Sequence, residues 1–183
     1  MDALQDDIQH INEALFLLAS EQGESLLRTL EASTPVARRI TQATSNGIGT
    51  AIRCRVPLLT FNSVVEELSF VDPRKWRPNV SADPSPQLKE LTRFLLEFAH
   101  DLVKMNLTVA QLYFGFSRLA AEAYGRLSLK HLLQLSTRHG VLVRLLAGQR
   151  LQDWDRLFIG ERLSGPLAYQ ISQQTGLVML HAE

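Results

Sequence analysis

Apolar residues return every three or four positions through most of this chain, the period of helices that bury one face. Residues 8–30 show it first: Ile8, Ile11, Leu15, Leu18, Leu26, Leu27 and Leu30 share a side, and Gly23 is placed to split the run into two helices. Ser33, Thr34 and Pro35 then read as a helix start, because proline in a first turn gives up only an N–H that has no partner there. That helix is predicted to end at a turn of Ser45, Asn46 and Gly47. The stretch AIRCRV, 51–56, alternates apolar and polar side chains ahead of Pro57 and predicts a short strand or an extended arm. Residues 61–70 predict one more helix with Val64, Val65 and Leu68 inward.

Residues 72–87 hold four of the seven prolines, which remove donors and disfavour helix in the residue before them, so they predict a linker or a surface-wrapping loop. Trp76 inside it implies that the loop packs on something, the protein's own core before a partner. Beyond it comes the apolar helix LTRFLLEFAHDLVKM and then the most structured stretch, 107–146, which reads as three short helices in close succession. Asn106 leads the first and Thr108 can cap it, Ser117 the second and Ser128 the third, since a side-chain oxygen there accepts an orphan N–H. Gly140 is placed where a helix ends in a left-handed residue. Leu112, Tyr113, Phe116, Leu119, Ala123, Leu132, Leu133 and Leu135 are core candidates, and Tyr124 is either core or interface. Two further helices, 151–159 and 166–174, flank Gly160, Ser164 and Gly165 in a helix-turn-helix pattern, with Arg156, Arg162, Tyr169, Gln170, Gln173 and Gln174 as candidate contacts. The fold class is therefore all-α, a compact bundle of about seven or eight helices, with at most a short strand near 51–56 or 177–180.

The carrying residues of the second half also resemble a known family. From about 91 to 146, the apolar helix followed by FGFSRLAAEAYGRLSLKHLLQL is similar to FlhD, a subunit of the FlhD/FlhC activator of bacterial flagellar genes. Gly115, Ser117, Ala120, Gly125, Leu127, Ser128, Leu129 and Leu135 match the family's glycines, polar cap, alanine and leucine framework, and DRLFIGERL and QQTGLVML extend the likeness to about 88–183. The resemblance implies a transcription regulator that acts with an FlhC-like partner on DNA, governing flagellar genes or the transfer genes of mobile elements. The family's cysteine that can bridge two subunits would fall in GVLVRLL, where this chain has none, so a covalent dimer is not implied. The expected organisation is an N-terminal helical segment, 1–71, a Pro-rich linker, 72–87, and the FlhD-like domain, 88–183. An internal repeat also runs through it: IQHINEALFLLA (8–19) resembles LKELTRFLLEFA (88–99), and STPVARRI resembles FSRLAAEA. The chain is thus expected to be a degenerate tandem duplication, a pseudo-dimer in one chain, or else a homo-oligomer.

The formal net charge is zero, which argues against nonspecific binding to nucleic acid by the chain alone. Its distribution changes that picture. The first thirty-one residues carry Asp2, Asp6, Asp7, Glu13, Glu21, Glu24 and Glu31 against Arg28, whereas 118–150 holds Arg118, Arg126, Lys130, Arg138, Arg144 and Arg150 against Glu122. A charge run is ordinarily a solvated face, but cations over a helical triplet are also what a phosphate backbone requires. The candidate DNA contacts are Arg126, Lys130 and His131 at the start of the third helix, where free N–H groups favour a phosphate, with Arg138 and Arg144 beyond.

No catalytic signature emerges. None of His10, His100, His131, His139 and His181 has metal-ligand spacing, and Gly47, Ile48 and Gly49 lack the rest of a dinucleotide site. Cys54 between Arg53 and Arg55 has the setting of a lowered thiol pKa but no His and Asn partners. One cysteine excludes an internal disulfide, no apolar run reaches membrane-spanning length, and the acidic N-terminus is unlike a secretory signal, so a cytoplasmic, cofactor-free, non-enzymatic protein is expected. The alternative to a DNA-binding regulator is a helical interaction protein that sequesters or scaffolds a regulatory partner.

Overall fold

The computed structural model describes residues 2–76, 84–146 and 150–160. Among these, nine α-helices surround one two-stranded sheet: α1 (Asp2–Thr29), α2 (Thr34–Thr41), α3 (Ser45–Ile52), β1 (Leu59–Phe61), α4 (Ser63–Ser69), α5 (Pro86–Met105), α6 (Leu107–Phe114), α7 (Arg118–Gly125), α8 (Leu129–Arg138), β2 (Val143–Leu145) and α9 (Leu151–Ile159). The all-α expectation holds. Gly23 breaks α1 with a left-handed φ of 64° and ψ of −150°, as its position implied.

Several local expectations are corrected. Ser45, Asn46 and Gly47 are the first turn of α3, because the Thr44 hydroxyl accepts the Gly47 N–H at 3.2 Å and nucleates a helix there. Residues 51–56 accordingly end a helix, and the strand begins at Leu59. Asn106 caps α6 by accepting the Val109 N–H at 3.1 Å, which leaves Thr108 inside the helix. The left-handed ending belongs to Gly115 after α6 (φ 70°), whereas α8 ends in extended His139 on the way into β2. The second strand expected near 177–180 and the helix over 166–174 lie outside the described residues.

The repeat is visible throughout. Ile8, Ile11, Asn12, Leu15, Phe16, Leu18 and Ala19 are buried in α1, and Leu88, Leu91, Thr92, Leu95, Leu96, Phe98 and Ala99 are buried in α5, eighty positions on. From Leu30 onward the spacing is eighty-four; the four-residue difference, about one helical turn, lengthens α5 without changing which face is buried. At that spacing Ser33 and Ser117 are N-caps, and Thr44 and Ser128 cap α3 and α8 through the N–H three residues on. Glu31, whose φ is 64°, stands where the second repeat has Gly115.

The two repeats meet about a pseudo-two-fold axis. β1 and β2 occupy equivalent positions and pair antiparallel, Leu59 with Leu145 and Phe61 with Val143, so the equivalent residues Thr60 and Arg144 face each other. The flanking bonds obey the same symmetry: Asn62 N–H donates to Leu142 O at 3.0 Å, and Leu146 N–H to Leu58 O at 2.8 Å. The carbonyls of Leu30 and Phe114, also equivalent, each accept from the opposite repeat, from Leu145 N–H at 2.9 Å and from the Thr60 hydroxyl at 3.1 Å. Such a relation, each patch meeting its own counterpart, is that of an isologous dimer. Helix contacts follow it as well, with α1 on α5, α2 on α9 and α4 on α7.

Residues 72–87 fall between the repeats in the chain, and the core spans both. Residues from both sides form one apolar cluster, and β1 leaves its carbonyls and N–H groups to β2 of the other side. Trp76 is buried within the protein, its indole N–H within 3.2 Å of the Leu68 and Val71 carbonyls and its ring edge-on to His131 and His139.

Candidate nucleic-acid interface

α6, α7 and α8 are each set by a polar cap and by what they bury on α5. Ser117 accepts the Ala120 N–H at 3.2 Å and Ser128 the His131 N–H at 3.4 Å, which fixes where α7 and α8 begin. The buried stripe of α7 is Ala120, Ala121 and Tyr124. Small residues bring α7 close to α5; a Cβ on Gly125 would lie 2.7 Å from Val103 Cγ1, so only hydrogen fits at that contact. Tyr124 is fully buried and its hydroxyl donates to Leu96 O at 2.7 Å; desolvation first, then Asp101 and Glu97, hold its pKa well above the usual range. Around it Phe61 of β1 stacks on Phe116 at 5.6 Å and 12°, with Phe114 at 5.1 Å. Phe116, Leu132 and Leu135 are core as expected, and Leu112, Tyr113, Ala123 and Leu133 are half-buried. Leu119 is not core: it precedes the alanine stripe on the other side of α7 and is 69% exposed.

This scaffold presents the candidate cations unequally. Arg126 at the C-cap of α7, Lys130 in the first turn of α8 and Arg138 in its last turn are exposed and have no carboxylate partner among the described residues. His131 is half-buried with its ring against Trp76. Arg144 projects from β2 toward Glu31, Nη1 to Oε2 3.9 Å, and Arg118 and Arg150 pair with Glu122 and Asp153 at 3.1 and 3.0 Å. Arg126 and Lys130 therefore share one corner, while Arg138 lies at the far end of α8.

Reading the second half alone missed a basic excess in the first. Residues 32–61 carry Arg38, Arg39, Arg53 and Arg55 and no acidic residue; 116–145, their equivalents, carry five cations against Glu122. Each stretch is thus net +4, although only Ser33/Ser117, Ala37/Ala121 and Leu58/Leu142 are identical. Arg39 bonds Asp155 and lies over the Phe158 ring at 4.8 Å, whereas Arg38, Arg53 and Arg55 are exposed and have no carboxylate partner among the described residues. The signal that finds this excess is the alignment of the two halves, not the charge run itself. Asn12 was missed as well. It is buried in an otherwise apolar stripe, donates to Val56 O and accepts from Leu58 N–H at 2.8 Å, and so fixes the path from α3 into β1.

Cys54 behaves opposite to the expectation from its arginine neighbours. Burial pushes the thiol up to about 11, opposed by its bond to Val56 O at 3.2 Å, so it is held as the neutral thiol. Among the described residues no group of His, Cys, Asp and Glu is arranged to hold a metal ion, and no helix is long and apolar enough to cross a membrane. Of the helix-turn-helix pattern at 151–174, α9 with half-buried Arg156 is described, and Arg162, Tyr169, Gln170, Gln173 and Gln174 lie outside the described residues. Compared with family models, curated proteins and solved structures, the chain has no match. What the fold defines is a class: a helical unit duplicated within one chain and closed about a pseudo-two-fold axis.

Proposed function

We propose that this protein is a DNA-binding subunit of a bacterial transcription regulator, resembling FlhD and working with an FlhC-like second subunit on flagellar or mobile-element transfer genes. The observation that carries the reading is a basic excess in both repeats: residues 32–61 and 116–145 are each net +4, although their cations stand at different positions. Packing does not require those charges, since Arg38, Arg53, Arg55, Arg126, Lys130 and Arg138 are exposed and have no carboxylate partner among the described residues. A polyanion is the ligand that such exposed cations fit, and duplex DNA is one. Zero net charge explains why a second subunit is needed, because the acidic α1 offsets the counterion-release gain of the cations.

Fluorescence anisotropy with duplex DNA across a salt series tests the reading, with the chain alone and with its partner. Each phosphate contact contributes roughly 0.9 to the log–log slope, so replacing Arg126 and Lys130 by alanine should flatten it by about 2. An unchanged slope would sink the assignment. The helical interaction protein would then lead, favoured by exposed Leu119, Leu129 and Met105.

A further inference from the structure

The turn at 73–75 that follows α4 lays Trp76 against α8. The indole N–H is shared between the Leu68 and Val71 carbonyls, 3.2 Å from each, and the ring lies 6.1 and 6.2 Å from the rings of His131 and His139. The first repeat builds the same cover without a histidine. There α9 packs on α3, and the equivalent of His131 is Gly47, where an added Cβ would lie 3.3 Å from Phe158 Cβ. The equivalent of His139 is Arg55, which is exposed. Packing of the fold therefore does not demand the two imidazoles.

His139 is the sensitive one. It is 5% exposed, and its Nε2 has no hydrogen-bond partner. A neutral imidazole can leave one ring nitrogen as an idle acceptor, but the protonated ring has two N–H donors and a charge to satisfy. The carboxylates of the elements around it are Glu66 and Glu67 on α4, Asp72 before the turn, and Glu90, Glu97 and Asp101 on α5. Among the described residues none of them is within ion-pair distance of His131 or His139. Arg74 and Lys75 of the turn and Lys130 and Arg138 of α8 add only positive charge. Burial first, then Arg138, lowers the pKa of His139 from 6.5.

We infer that Trp76 is an acid-released strap: protonation of His139 lifts residues 72–76 off α8 while the rest of the fold stays in place. Water admitted where the indole leaves then hydrates the new N–H. The docked form binds the proton less well than the released form, whose histidine titrates near 6.5. Docking is therefore fully favoured above about pH 6.5, and the docked-to-released ratio falls, by at most about tenfold per pH unit, as pH drops toward the folded value. Lys130 and Arg138 adjoin the two histidines on α8, which sets the device beside the proposed DNA surface without depending on that reading.

Fluorine NMR of the full chain labelled with fluorotryptophan, without DNA, reads both indoles in place, and Trp76→Phe assigns them. As pH falls below about 6.5, the Trp76 signal should move, and its difference between H₂O and D₂O should rise toward that of the free amino acid. The signal of Trp154, which is fully buried, should hold, and circular dichroism should be unchanged. His139→Phe and His139→Gln should each abolish the Trp76 transition, whereas His131→Asn should leave it. The inference is overturned by a Trp76 signal that titrates without gaining solvent contact, or by one that stays fixed down to about pH 5. A transition that survives both His139 variants, or Trp154 moving in step with Trp76, would overturn it equally.

Discussion

Removing the ring of Phe61 should destabilise the whole chain at once. Phe61 comes from the first repeat, is 4% exposed, and lies 5.1, 5.6 and 6.2 Å from the rings of Phe114, Phe116 and Tyr124, all in the second. Phe61→Ala therefore leaves a cavity between the repeats, with a cost of about 3–5 kcal/mol for the lost transfer and packing terms. That is a large share of the roughly 5–15 kcal/mol by which domains are stable. Urea unfolding of single-tryptophan variants reads it at two places. Trp76 reports on the contact with α8 through His131 and His139, and Trp154 reports on α1 through Phe16. Both midpoints should fall together, each against its own parent protein. Phe61→Leu, which copies the equivalent Leu145, should cost markedly less. A loss under about 1 kcal/mol, or a shift at Trp76 with none at Trp154, would refute the idea that one core joins the repeats.

Gly125→Ala should cost about 1–3 kcal/mol by overpacking against Val103, and Val103→Ala should recover part of that loss in the double variant; thermal unfolding decides it. His139 is kept neutral by burial and by Arg138, its pKa lowered from 6.5. Because the unfolded chain binds that proton first, stability should be full above about pH 6.5 and fall as pH drops toward the folded value; His139→Phe should flatten the urea midpoint over that range. Cys54, with a thiol pKa near 11, should react slowly with a thiol reagent at pH 8 while folded and rapidly in urea; fast native labelling would contradict its burial.

The helices were legible because their period is imposed by one buried face, and Ser33, Ser117 and Ser128 announced where three of them start. The duplication was legible in the apolar register of 8–19 and 88–99 for the same reason. Its geometry was not. Strand pairing is a long-range event, and LTF and VRL, at β1 and β2, are too short to show a period of their own. Leu119 reads as core from hydrophobicity alone, yet its side of α7 is decided by where Ala120, Ala121 and Tyr124 must go. Of the candidate site, the cations of the second repeat could be chosen by clustering. That Arg144 faces Glu31 while Arg126 faces no carboxylate among the described residues depends on tertiary neighbours that spacing does not encode.

The axis between β1 and β2 carries a consequence for what residues are permitted there. In a dimer of identical chains, the residue on the axis confronts its own copy, so any change is made twice and must tolerate itself. Threonine does so easily, whereas arginine opposite arginine sets like charges face to face across a strand pair. Here Arg144 confronts Thr60, and its guanidinium reaches toward Glu31. Within a single chain that position is free of self-compatibility, and the same freedom extends to every pair of counterparts in the molecule.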